Sequence, residues 1–76
     1  MVRRAQIKQD CGRVVFEVDG YADGSWASYR FYGENVREFL GVYMTFSDAI
    51  DDTRAVFRRV FPGIPMYWDY KEVKNV

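Results

Sequence analysis

The chain has 76 residues, 11 Lys plus Arg against 11 Asp plus Glu, no His and a single Cys, so its formal net charge is zero. With 49 % hydrophobic and 29 % charged residues, it is neither a disordered tail, nor a collagen-like chain, nor a disulfide-stapled scaffold. The length fits one domain over residues 1–76, and a chain this short buries only roughly 60 % of its unfolded surface.

Val2 to Gln9 reads as a first strand, more polar than the others and therefore expected at an edge. Asp10-Cys11-Gly12 is a turn signal. Arg13 to Asp19 alternates with period two: Val14, Phe16 and Val18 fall on one face, and Arg13, Glu17 and Asp19 on the other. Two Asp-Gly steps follow, at Asp19-Gly20 and Asp23-Gly24. Ser25 to Tyr32 is the next strand, with aromatics on both faces; Ala27, Tyr29 and Phe31 form the expected core side. Gly33-Glu34-Asn35 makes a turn into Val36 to Met44, where Gly41 and the β-branched and aromatic residues after it favour a strand over a short helix.

Thr45 is an N-cap, with Asp48 three residues on as a box-like partner. Phe46, Ala49, Ile50, Thr53, Val56, Phe57, Val60 and Phe61 recur at helical spacing and form one apolar stripe. Asp48, Asp51 and Asp52 near the start, with Arg54, Arg58 and Arg59 near the end, suit the helix dipole. Pro62-Gly63 stops the helix, and Ile64, Met66, Trp68 and Tyr70 alternate through a last strand. The order β-β-β-β-α-β predicts an α+β fold, an antiparallel sheet of four to five strands with one helix packed on one face.

Trp26-Ala27 and the run Leu40-Gly41-Val42-Tyr43-Met44-Thr45-Phe46-Ser47-Asp48-Ala49 carry a resemblance. Over residues 13–63 the chain resembles the three-stranded-sheet-plus-helix DNA-binding domain of plant ethylene-response factors, phage homing endonucleases and integrase arm-binding domains. In those families a strand bearing Trp and Ala precedes a strand that ends in Leu-Gly and opens the helix. The resemblance implies a sheet face set into a DNA major groove, here with Arg13, Arg30 and Arg37 available to it.

Charge and chemistry point elsewhere. Between Arg13 and Thr45 the basic residues Arg13, Arg30 and Arg37 are outnumbered by Glu17, Asp19, Asp23, Glu34 and Glu38, which disfavours a nucleic-acid partner. Without His, the commonest general base and metal ligand are missing, and Cys11 alone completes neither a disulfide nor a zinc site. A calcium loop from Asp19 fails because Tyr21 and Arg30 occupy its third and twelfth positions. No catalytic activity, cofactor, metal or membrane contact is expected, and the absence of an apolar targeting segment after Arg3-Arg4 suggests a cytoplasmic protein.

The aromatics are the unusual feature, at 18 % of the chain. Trp26, Tyr32, Phe39, Tyr43 and Tyr67, with Arg30 and Arg37 among them, are expected on the sheet face away from the helix, rimmed by Glu17, Asp19, Asp23 and Glu38. That set predicts a non-catalytic module that binds a larger protein, or a second copy of itself in a homodimer. By size and charge it is comparable with inhibitors and accessory proteins of phages and other mobile elements.

Overall fold

The computed structural model describes residues 2–9, 11–33 and 36–73. The expected turn residues Asp10, Glu34 and Asn35 lie outside that set. Five strands, β1 (Val2–Lys8), β2 (Val14–Gly20), β3 (Trp26–Phe31), β4 (Arg37–Tyr43) and β5 (Tyr67–Val73), and one helix, α1 (Phe46–Val60), follow in the order β-β-β-β-α-β. The strands form one sheet in the order β4-β3-β2-β1-β5, with every neighbouring pair antiparallel.

Helix α1 begins where Thr45 supplies a cap: its backbone is extended, and the amide of Asp48 donates to the Thr45 hydroxyl at 3.1 Å. The helix lies across β2, β3 and β4 and turns Ala49, Ile50, Thr53 and Phe57 inward. Two adjoining clusters make the core. Ala5, Val18, Ala49 and Ile50 gather Trp26, Tyr43, Phe46 and Trp68 around them. Ile7, Val15, Phe16 and Phe57 gather Leu40, Val56, Phe61, Met66 and Trp68. Phe16 meets Phe57 edge-on, with ring centroids 5.9 Å apart.

Two sequence expectations are corrected here. Strand β1 is interior, between β2 and β5. Its polar residues do not mark an edge; Arg4, Gln6 and Lys8 reach Asp19, Glu17 and Asp69 on the flanking strands. The faces of β3 are also reversed, because Trp26 and Ser28 look toward the helix. Two local features decide this. Thr53 donates to the Ala49 carbonyl at 2.6 Å, so its oxygen accepts from the Ser28 hydroxyl at 2.8 Å, and a buried serine is satisfied. Opposite Trp26 in the β2–β3 register stands Gly20, whose missing side chain is the space the indole occupies.

Strand β4 carries a bulge. Ser28 faces Gly41 and Tyr29 faces Phe39, so Leu40 is an extra residue. Both Leu40, which joins the Phe57 cluster, and Gly41, which lies beside Tyr43, fall on the helix side. The alternation therefore shifts phase along the strand.

A Cβ built on Gly20 would stand 2.5 Å from the Trp26 ring. Gly20→Ala is expected to destabilise the domain by about 1–3 kcal/mol through displacement of the indole. Thermal unfolding checks this; an unchanged melting temperature would contradict the packing of Trp26 on Gly20.

Candidate protein-binding face

Pairing in an antiparallel sheet puts opposed residues on one face. The face away from α1 is thus assembled from Arg4, Gln6 and Lys8 of β1, Glu17 and Asp19 of β2, Ala27, Tyr29 and Phe31 of β3, Arg37, Phe39 and Val42 of β4, and Tyr67 and Asp69 of β5. No second layer covers it among the described residues, yet Glu17 and Asp19 are each only 2 % exposed.

Two guanidinium groups close over these carboxylates from opposite sides. Arg4 donates from Nε to Asp19 Oδ1 at 2.8 Å and lies 3.1 Å from Glu17 Oε1. Arg37 donates from Nη1 to Glu17 Oε2 at 3.0 Å and lies 3.7 Å from Asp19 Oδ2. Gln6 adds a bond from Nε2 to Glu17 Oε1 at 2.7 Å. The bond to Asp19 is the first cause that holds the Arg4 guanidinium above its ordinary pKa.

Arg37 continues outward, with its guanidinium 3.9 Å from the centroid of the Tyr29 ring. Tyr29 in turn meets Phe39 edge-on at 5.8 Å and shares a 3.3 Å hydroxyl contact with Tyr21. Val42, opposite Ala27, extends the patch toward the far end of β4. Phe39 and Val42 are 57 % and 60 % exposed. Tyr21, Tyr29, Arg37, Phe39 and Val42 thus form one contiguous surface on the β4 side of the sheet.

The predicted site residues divide accordingly. Arg37 and Phe39 belong to this surface. Trp26 and Tyr43 do not; they are corrected to the helix side, where Trp26 packs 4.6 Å from Phe46 and the Tyr43 hydroxyl engages Asp52. Burial first, then the bond to Asp52, raises the Tyr43 pKa.

Arg30 is opposite Phe16 and so also on the helix side, 4.4 Å from the centroid of the Tyr32 ring. Tyr32, between β3 and β4, donates to Glu38 at 3.3 Å. Tyr67 lies on the uncovered face but on β5, four strands and about 19 Å from Phe39. Glu17 and Asp19 are not an acidic rim, because both arginines cover them. Asp23 stays in the β2–β3 turn, where it accepts from the Ser25 amide at 2.9 Å and the Ser25 hydroxyl at 2.6 Å; the hydroxyl is the first cause of its lowered pKa. Tyr21, Tyr29 and Val42 join this surface without a sequence expectation to that effect; the alternation of Tyr29 and Phe31 in β3 carries the signal, on the face opposite to the one expected.

A depression of about 620 Å³ opens at the hairpin end of the sheet, lined by Gln6, Cys11, Gly12, Arg13, Val14, Phe31 and Gly33. Among the described residues no group of three or more Asp, Glu or Cys is placed to hold a metal ion, and no helix is long and apolar enough to cross a membrane.

Two measurements test this arrangement. Arg4→Met leaves buried carboxylates short of a partner and is expected to cost about 1–3 kcal/mol, whereas Lys8→Met, at the more exposed pair with Asp69, is expected to cost below about 1 kcal/mol. Chemical denaturation gives both values, and equal costs would contradict the closure by Arg4. The Tyr21 phenol is pushed up to about 12, first by its bond with Tyr29 and then by burial. An unfolded tyrosine titrates near ~10, so this contribution to stability is present below that value and is lost as the pH rises toward about 12. In Tyr29→Phe, NMR titration is expected to return Tyr21 toward its ordinary value; a value still near 12 would contradict the hydroxyl pair.

Comparisons with protein-family models, with characterised proteins and with solved structures returned no match.

Proposed function

We propose that the chain is a non-catalytic protein-binding module that engages a larger partner through Tyr21, Tyr29, Arg37, Phe39 and Val42 on the uncovered face of its sheet. The observation that carries this reading is the packing of Tyr29 between Arg37 and Phe39, at 3.9 and 5.8 Å, in a patch whose outer residues are more than half exposed. Tyr, Arg and aromatic anchors set around a rigid strand are the residue types that dominate protein interfaces. Rigidity matters because side chains already ordered lose little entropy on docking.

Ion pairing supports a protein rather than a duplex as the partner. Arg4, Lys8 and Arg37 on this face each lie within 4.0 Å of a carboxylate, and Arg13 stands apart from them at the hairpin end, where it lines the depression with Gln6 and Phe31. Phosphate binding would have to displace those pairs before any counterion release could favour it. An inhibitor or accessory subunit acting on a larger enzyme is the specific form this reading takes, since a small domain with one patch can block or recruit without chemistry of its own.

Partner capture tests the proposal. Immobilised wild-type and Phe39→Ala domains are compared for the proteins they retain, with an exposed helix variant, Arg58→Ala, as control. Phe39→Ala is expected to weaken a specific partner by tenfold or more, about 1.4 kcal/mol, with the fold intact by circular dichroism. Equal retention by all three baits would contradict the assignment of the patch.

A further inference from the structure

The sheet has two edges, and they differ. Edge strand β5 carries Asp69 near its middle, a charge of the kind that discourages strand addition. Edge strand β4 confines its charges to Arg37 and Glu38 at its start, and from Phe39 through Tyr43 it has neither charge nor proline. Among the described residues no strand pairs with its outer side, and the chemistry that satisfies such an edge is another extended strand.

The bulge in β4 selects which strand. Along β4, Phe39 and Val42 lie on the uncovered face, while Glu38, Leu40, Gly41 and Tyr43 lie on the helix side. Two copies of β4 related by a twofold axis pair residue i with residue j at a constant sum, and paired residues must share a face. A regular strand would match itself about any residue. With the phase shift at Leu40-Gly41, the six residues 38–43 all match in one register only, Glu38 with Tyr43, Phe39 with Val42 and Leu40 with Gly41 of the second copy. Leu40 then faces a glycine, and two exposed apolar pairs of Phe39 and Val42 come together.

The helix flank above this edge is complementary to itself in the same register. Asp52 faces Tyr43, and Asp48 and Arg59, four residues before and seven after, share that flank of α1. Because Thr45 caps the helix just after β4, and Leu40 and Val56 both pack against the Phe57 cluster, α1 runs back along β4. The twofold axis therefore brings Asp52 close to the level of Arg59 of the second copy.

We propose that two copies of this chain join antiparallel along β4, with Phe39 of each opposite Val42 of the other, in one continuous ten-stranded sheet. The proposal stands apart from the partner reading, which needs the patch and not the edge.

Sedimentation equilibrium of the wild-type chain and thiol cross-linking in a Cys11→Ser background test it. The wild type is expected to sediment as a dimer. Phe39→Cys and Val42→Cys, each alone, are expected to remain uncross-linked on mild oxidation, because like positions across the axis are too far apart for a disulfide. An equimolar mixture of the two is expected to give a covalent dimer. A monomer at every loading concentration overturns the proposal, as does a dimer whose single-cysteine variants cross-link alone or whose mixture does not cross-link. Retention of a partner by a monomeric wild type would leave the proposed function standing while removing the dimer.

Discussion

Two carboxylates on the middle strand of the sheet, Glu17 and Asp19, are buried on the face that no helix covers, and the rest of the structure is arranged around satisfying them. Their partners arrive from both flanks: Arg4 from β1 and Arg37 from β4, two strands away. Buried ion pairs of this kind add little net stability over an apolar layer, but any arrangement that separates the partners is strongly penalised. A one-residue slip of β1 against β2 would turn Arg4 to the helix side and leave Asp19 short of its charge. The network therefore selects a register, whereas the stability comes from Ile7, Phe16 and Val18 beneath the helix and from Phe57 on its inner side.

This closure shapes the surface available to partners. With Glu17 and Asp19 covered, the face presents neither an acidic rim nor a positive stripe. It is neutral near its centre and aromatic toward β4. Arg37 links the two regions, since one guanidinium bonds Glu17 and lies over Tyr29. Tyr29 is held on three sides, by Arg37, Phe39 and Tyr21, which makes it an ordered anchor rather than a mobile ring.

Much of the fold was legible in the sequence because its signals are local. The period-two runs, the Thr45 cap, the apolar stripe of the helix and the Pro62-Gly63 stop give the element order. What was not legible depends on pairing across the chain. Strand β3 has aromatics on both faces, and the choice between them rests on Gly20 and Thr53, distant in sequence. Glu17 and Asp19 read as exposed because alternation says only which face they occupy, not that two arginines will cover them. Strand β1 read as an edge because its polarity is explained only by partners on β2 and β5. On the uncovered face Arg37 and Phe39 lie where alternation along β4 puts them and Tyr29 does not, as a direct consequence of the reversed β3 face.

The most direct test of the account is whether the uncovered face responds to phosphate. Fluorescence anisotropy of a generic labelled duplex, titrated with the chain at low and near-physiological salt, measures this without knowledge of the partner. With Arg4, Lys8 and Arg37 committed to carboxylates, the account predicts no binding even at low salt. Micromolar binding that falls steeply with added salt and is lost in Arg37→Gln would contradict it, and would mean that these guanidinium and ammonium groups are free to leave their carboxylates for a polyanion.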